Sequence, residues 1–181
     1  MKITETKLPG VVIIEPQIYE DERGFFLETY NRKRYSELLG VDVDFVQDNY
    51  SHSKCHVLRG LHMQLQRPQG KLVRVIRGHV WDVAVDVDPR SPTFREWVGV
   101  DLTRENQKQV YIPPGYAHGF CVLSEEADFE YKCTDFYLAG DEVGIAWNDP
   151  DLAIDWPERA PILSDRDAAN PTLRSLHRLW I

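Results

Sequence analysis

Residues 71–87 constrain the fold more than any other part of the chain. Lys71-Leu72-Val73-Arg74-Val75-Ile76 is a short apolar-rich run, and Gly78-His79 after it predicts a reversal. In the next run the odd positions Trp81, Val83, Val85 and Val87 are apolar, while Asp82 and Asp86 alternate with them. A period of two is the signature of a strand, whose successive side chains point to opposite faces. Short runs of this kind, separated by turn residues, fill most of the chain. They predict a mainly β protein, a sandwich or closed barrel with a few short helices. One helix is well marked, with Asn31 as N-cap, an apolar stripe of Tyr35, Leu38 and Leu39, and Gly40 as its stop. A second short helix is expected from Asn170 onward, with Pro171 in its first turn.

A length of 181 residues without a linker, repeat or low-complexity segment predicts one domain spanning 1–181. Hydrophobic residues at 43% exclude a disordered chain, despite 28% charge. A formal charge of −8 argues against a nucleic-acid binder, which would carry a basic face. The first ten residues hold no apolar signal-peptide core, and no apolar run is long enough to span a bilayer. Cys55, Cys121 and Cys133 are odd in number, far apart and in no metal-ligand pattern, so they read as reduced thiols of a cytoplasmic protein.

Strand parity singles out Lys71. It shares a face with Val73 and Val75, and so is expected to point into the barrel. Burying an ammonium costs several kcal/mol (order of magnitude) unless it is paired, which favours a functional role. Arg59, Lys71, Arg74 and Arg77 lie close enough in sequence to form a local positive patch, with Arg77 read as a solvated strand-face charge. Parity over residues 129–137 places Tyr131 and Tyr137 on the face of Phe129 and Cys133. Alone, that pattern is explained by core packing in which each hydroxyl finds a partner.

Arg59-Gly60-Leu61-His62 precedes the Lys71 strand, across a loop containing Pro68 and Gly70. An imidazole can take a proton from carbon, and a nearby ammonium can stabilise the enolate oxygen left behind. The pairing suits proton abstraction beside a ketone. A structural histidine bonded to backbone is the alternative reading of His62 from its strand alone.

Ile112-Pro113-Pro114-Gly115-Tyr116-Ala117-His118-Gly119-Phe120 contains Pro-x-Gly-x-x-His, which resembles the second motif of the cupin superfamily of small jelly-roll barrels. In metal-binding cupins this histidine joins a His-x-His…Glu cluster. Here Leu61-His62-Met63-Gln64 has one histidine, with Gln64 where the second would stand and no glutamate at suitable spacing. Two histidines are fewer than the three protein ligands usual at a catalytic zinc. The expectation is therefore no metal, with His118 as a ligand contact.

Taken together, Arg59-Gly60-Leu61-His62, Gln69-Gly70-Lys71-Leu72-Val73-Arg74-Val75 and the Pro-x-Gly-x-x-His-Gly-Phe segment resemble the dTDP-4-dehydrorhamnose 3,5-epimerase family. Asp21-Glu22-Arg23-Gly24-Phe25-Phe26-Leu27-Glu28, Phe45-Val46-Gln47-Asp48-Asn49 and Leu163-Ser164-Asp165-Arg166-Asp167 extend the resemblance to about Pro171. It implies a cupin-type jelly-roll barrel that epimerises a dTDP-linked 4-keto-6-deoxy sugar at C3 and C5 without a metal or other cofactor, on the route to dTDP-L-rhamnose. Both carbons flank the C4 ketone, so one enolate chemistry serves both. The resemblance implies His62 as base, Asp167 as its carboxylate partner, Lys71 beside the C4 oxygen and Tyr131 as acid on the opposite ring face. It further implies that Arg23, Glu28, Gln47, Asp48, Asn49, Arg59, His118, Tyr137, Glu142 and Arg166 contact the substrate, and that Lys71 does so too. It implies a homodimer whose site borrows Arg23 and Glu28 from the partner. Two positions depart from the family pattern: Met63 replaces an aromatic residue and is expected to alter packing beneath the sugar, and Arg166 replaces a lysine. An epimerase acting at C3 or C5 alone, and a noncatalytic nucleotide-sugar-binding cupin, are the alternatives.

Overall fold

The computed structural model describes residues 1–42 and 44–176. In chain order its strands begin with β1 (Lys2–Glu5), β2 (Val12–Glu15), β3 (Ile18–Asp21) and β4 (Gly24–Leu27), and helix α1 (Arg32–Leu39) follows. Next come β5 (Gln47–Lys54), β6 (Leu58–Gln64), β7 (Lys71–Arg77), β8 (His79–Asp86) and β9 (Trp97–Thr103). The chain continues with β10 (Gln109–Ile112), β11 (Tyr116–Val122), β12 (Glu126–Cys133) and β13 (Glu142–Gly144), then α2 (Asp165–Ala168) and α3 (Leu173–Leu176). Six strands form one antiparallel sheet in the order β1-β2-β10-β7-β12-β5, and five form another in the order β13-β6-β11-β8-β9. The fold is thus mainly β, as the alternation predicts.

Each sheet is covered on its outer side over part of its width, as well as being buried between the sheets. Between the sheets Val73 and Val75 meet Val80, Ala84, Phe120 and Phe129. The outer face of the six-stranded sheet packs under α1, where Tyr35 contacts the cluster of Val12, Ile14, Leu72 and Tyr111. Asn31 caps α1 by accepting from the Arg34 amide, and Gly40 closes it at φ 67°. The outer face of the five-stranded sheet packs under the C-terminal segments, with Val83 and Val85 against Leu152, Trp156 and Leu173.

Cover on the outer side decides which face of β8 is the interior. Its apolar positions Trp81, Val83 and Val85 face outward, under the C-terminal cover. The alternate positions Val80 and Ala84 face the barrel interior, and Asp82 and Asp86 are buried at 1% and 3% exposure. Met63 also lies on the outer face, so it packs away from the barrel interior and not beneath a ligand.

Two glycines let β6 and β11 approach closely. Gly60 has φ +128°, and a Cβ there would stand 2.6 Å from the Gly119 Cα. The pairing sets His62 directly opposite His118. The hairpin β3–β4 belongs to neither large sheet. Tyr19 and Phe26 are paired across it and are 62% and 68% exposed. The C-terminal helix begins at Leu173, so Pro171 precedes it instead of occupying its first turn. The remainder of that expected helix, from 177 onward, lies outside the described residues.

Candidate active site

A cavity of about 610 Å³ opens at the barrel, and strands of both sheets line it. From β5 come Gln47 and Asn49, from β6 Arg59 and His62, and from β7 Lys71. Strands β11 and β12 add His118 and Tyr131, while Glu142 opens β13. Helix α2 adds Arg166 and Asp167. Tyr137 also lines the cavity, but not from a strand: β12 ends at Cys133, and Tyr137 sits half-exposed in the following loop. Arg59 and Lys71 share the cavity, whereas Arg74 pairs with Glu130 and Arg77 with Glu126, so the positive patch does not form as one unit.

Three expected substrate contacts lie outside the cavity of their own chain. Asp48 alternates with Gln47 and Asn49 on β5 and therefore faces away, ion-paired to Lys132 at 2.9 Å. Arg23 pairs with Asp21 at the hairpin turn. Glu28 pairs with Arg34 at 3.1 Å.

The His62 imidazole lies 2.6 Å from Asp167, through Nε2 and Oδ1. Asp167 is a 5%-exposed residue of α2, and Ser164 caps that helix by accepting from its amide at 3.1 Å. Burial alone would raise the Asp167 pKa. The hydrogen bonds from His62, the Gly60 amide and Ser164, with the charge of the imidazole, outweigh burial and hold the carboxyl below its usual range. An ionised carboxylate can only accept, so Nε2 carries the proton and Nδ1 is left as the basic nitrogen.

The Lys71 ammonium makes no hydrogen bond or ion pair with any described residue. Burial depresses its pKa, opposed in part by Cys133, Glu142 and Asp82. The geometry offers a cation with spare donors inside a cavity, which suits a developing oxyanion. Burial pushes the Tyr131 phenol up to about 12, reinforced by Cys133 and Glu142 against Arg59. Tyr131 therefore keeps its proton at neutral pH.

Opposite His62, His118 forms a second buried pair with Asp82, 2.7 Å between Nε2 and Oδ2. Desolvation lowers the His118 pKa despite Asp82, with Lys71 and His62 adding to the depression. Sequence reasoning missed Asp82. The parity of β8 was the available signal, since Asp82 shares a face with Ala84, but parity does not say which face is the interior. At the cavity rim Arg166 pairs with Glu142.

The position of Asp167 depends on Gly144, which pairs with His62 across β13 and β6. A Cβ at Gly144 would fall 2.0 Å from Asn170 Oδ1, and the Asn170 amide donates to Asp167 Oδ1 at 3.4 Å. Gly144→Ala must therefore displace Asn170 or the strand carrying the dyad's neighbour. The expected result is a fall of about 10- to 100-fold in kcat, since small misplacements at a reacting centre have effects of that size. Steady-state kinetics with a measured dTDP affinity checks this, and wild-type kcat would remove the positioning argument.

The model of the family described as dTDP-4-dehydrorhamnose 3,5-epimerase matches residues 5–175. A dTDP-4-dehydrorhamnose 3,5-epimerase from Shigella flexneri is 54% identical over 168 residues, 92% of this chain and 93% of that protein. The crystal structure of the dTDP-6-deoxy-D-glucose-3,5-epimerase of Legionella pneumophila, in complex with dTDP-4-keto-L-rhamnose, superposes with a TM-score of 0.96 at 54% identity. That superposition covers 99% of this chain and 96% of the Legionella chain. A 3′-monoepimerase from Streptomyces bikiniensis, in complex with dTDP-quinovose, is more distant at 35% identity and TM-score 0.90, over 96% of this chain and 89% of its own. With the fold, the matched length and the identity in agreement, the chain belongs to the dTDP-4-dehydrorhamnose 3,5-epimerase family.

Proposed function

We propose that this chain, acting as one domain, converts dTDP-4-keto-6-deoxy-D-glucose to dTDP-4-keto-L-rhamnose by successive inversion at C3 and C5. The observation that carries the residue roles is the meeting of a His–carboxylate pair, an unpaired, partly buried ammonium and a protonated phenol in one cavity. His62 removes the proton beside the C4 ketone, and the C–H electron pair forms the enolate. Asp167 stabilises the imidazolium that results. Lys71 stabilises the oxyanion through charge and hydrogen bonding, and protonation on the opposite face then completes inversion. Tyr131 donates that proton at C5. Arg59, Arg166, Gln47, Asn49, Tyr137, Glu142 and His118 bind the substrate, the arginines matching phosphate oxygens with their planar forks.

The functional unit is a homodimer in the cytoplasm. The hairpin β3–β4, with its exposed Tyr19–Phe26 pair, supports a self-association surface, because an isolated two-stranded ribbon is marginal in water. Arg23 at its turn then reaches the partner's cavity, with Glu28 close behind it, and Asp48 supports the rim from outside. A monomeric mass by sedimentation would remove this assembly. Three free cysteines accord with a reducing compartment, and among the described residues no helix is long and apolar enough to cross a membrane.

Proton NMR of the keto sugar in deuterium oxide tests the activity. Deuterium at both C3 and C5 is the expected result, and exchange at C3 alone would move the reading to a monoepimerase. Tyr131→Phe should retain C3 exchange within about threefold while C5 product formation falls by about 10²-fold or more, in line with general-acid contributions. Equal losses at the two carbons would contradict the assignment of Tyr131 to C5.

A further inference from the structure

We propose that Gln64 and Asp141 are positioning residues that hold the 134–141 loop, and with it Tyr137, at the cavity mouth. The inference rests on the substrate-binding role of Tyr137 given above. Gln64 stands where a metal-binding cupin would carry its second histidine, but its side chain does not line the cavity. It is 3% exposed, and its amide serves the two loops that flank the mouth. Oε1 accepts from the Leu138 amide at 2.7 Å. Nε2 donates to the Arg67 carbonyl at 2.8 Å and to the Phe136 carbonyl at 3.4 Å.

Asp141 completes the connection from the other side. Its carboxylate, also buried, accepts from the backbone amides of Gln66 and Arg67, both at 2.9 Å. The loop between β6 and β7 is thereby fastened to the loop between β12 and β13. Gln69, which lines the cavity, adds a bond from Nε2 to the Asp135 carbonyl at 2.7 Å. Next to Leu138, the Tyr137 amide donates to Gln47 Oε1 at 2.8 Å. Two glutamine carbonyls on different sheets thus hold consecutive amides, and the Tyr137 ring is presented from a backbone anchored on both sides.

The chemistry needs a primary amide at position 64. It must accept once and donate twice within a buried site, which a carboxylate, an imidazole or an apolar side chain does not do. Substrate contact is not required of it, because its polar atoms are already engaged. Its effect should therefore appear in binding more than in proton transfer.

Two readouts separate this role from general destabilisation. In ligand-free Gln64→Leu, amide hydrogen exchange across 134–141 should rise by about tenfold or more while the strands keep wild-type protection, as expected for local opening. With the dTDP-linked keto sugar, KM should rise about tenfold with kcat within about threefold, the pattern of lost uniform binding. Asp141→Asn should give the same split, and serves where Gln64→Leu folds poorly. In a Tyr137→Ala background, Gln64→Leu should raise KM by less than about twofold more, because residues acting through one contact are not additive. Unchanged loop exchange, a kcat loss without a KM change, or fully multiplicative KM effects would each overturn the proposal. A wild-type protein inert toward the sugar would instead defeat the activity reading, and loop exchange alone would then decide whether Gln64 holds the loop.

Discussion

Replacing His62 with alanine is expected to cut deuterium incorporation at both C3 and C5 by about 10³-fold or more, while dTDP affinity stays within about threefold. Both carbons flank one ketone, so a single base serving both predicts a shared loss. His62 is held at 2.6 Å from a carboxylate whose pKa burial raises and hydrogen bonds from the imidazole, Gly60 and Ser164 lower by more. That arrangement orients one ring nitrogen and leaves the other basic. Nucleotide affinity should survive because the proposed diphosphate partners, Arg59 among them, are separate side chains of the cavity. Calorimetric titration with dTDP and NMR exchange on the same sample separate the two effects. Retained exchange at either carbon would assign a different base there, and His118, directly opposite, would be the first to test.

Local rules were readable wherever one residue type had a single physical use. Asn31 and Gly40 bound α1 because an N-cap needs a side-chain acceptor and a left-handed C-terminal position favours glycine. Lys71 was placed in the cavity by parity alone, since Val73 and Val75 on its face form the inter-sheet core. The partial outer cover of the sheets was not readable. Period-two alternation says which residues share a face, not which face is the barrel interior. In β8 the more apolar face belongs to the cover, so alternation alone does not show that Asp82 faces inward and pairs with His118.

The same limit applies to Tyr137, Met63 and Asp48. Extending the parity of β12 to Tyr137 ignored the end of the strand at Cys133, and the loop reached the cavity by a different path. Met63 follows His62 in sequence and therefore faces away from it. Asp48, between two cavity residues, does likewise. Adjacent residues in a strand cannot contact one ligand from one face, and that rule would have separated these positions before any coordinates. The His62–Asp167 pair is of another kind. It joins residues 105 apart in sequence, which no local pattern reports, and only resemblance to a family could propose it.

Lys71→Met should sharply reduce turnover and yet stabilise the ligand-free protein. The loss is expected at about 10²- to 10³-fold in kcat, the scale of removing one preorganised oxyanion donor. The gain follows from burial: an ammonium with no partner among the described residues is replaced by a side chain that fills the same volume without charge. Replacing buried charge by apolar groups is commonly neutral to stabilising, and a gain of roughly 1 kcal/mol is expected. The sign can be checked against pH. Burial lowers the Lys71 pKa in the folded state, so between the folded value and the ordinary lysine value the unfolded chain binds more protons. Wild-type stability should therefore gain from this group as pH rises through the folded value toward about 10, and Lys71→Met should lack that gain. Denaturant midpoints measured from pH 7 to 10 on both proteins read the difference. A less stable Lys71→Met with wild-type pH dependence would mean that the ammonium is satisfied within the fold and is not held in reserve for the oxyanion.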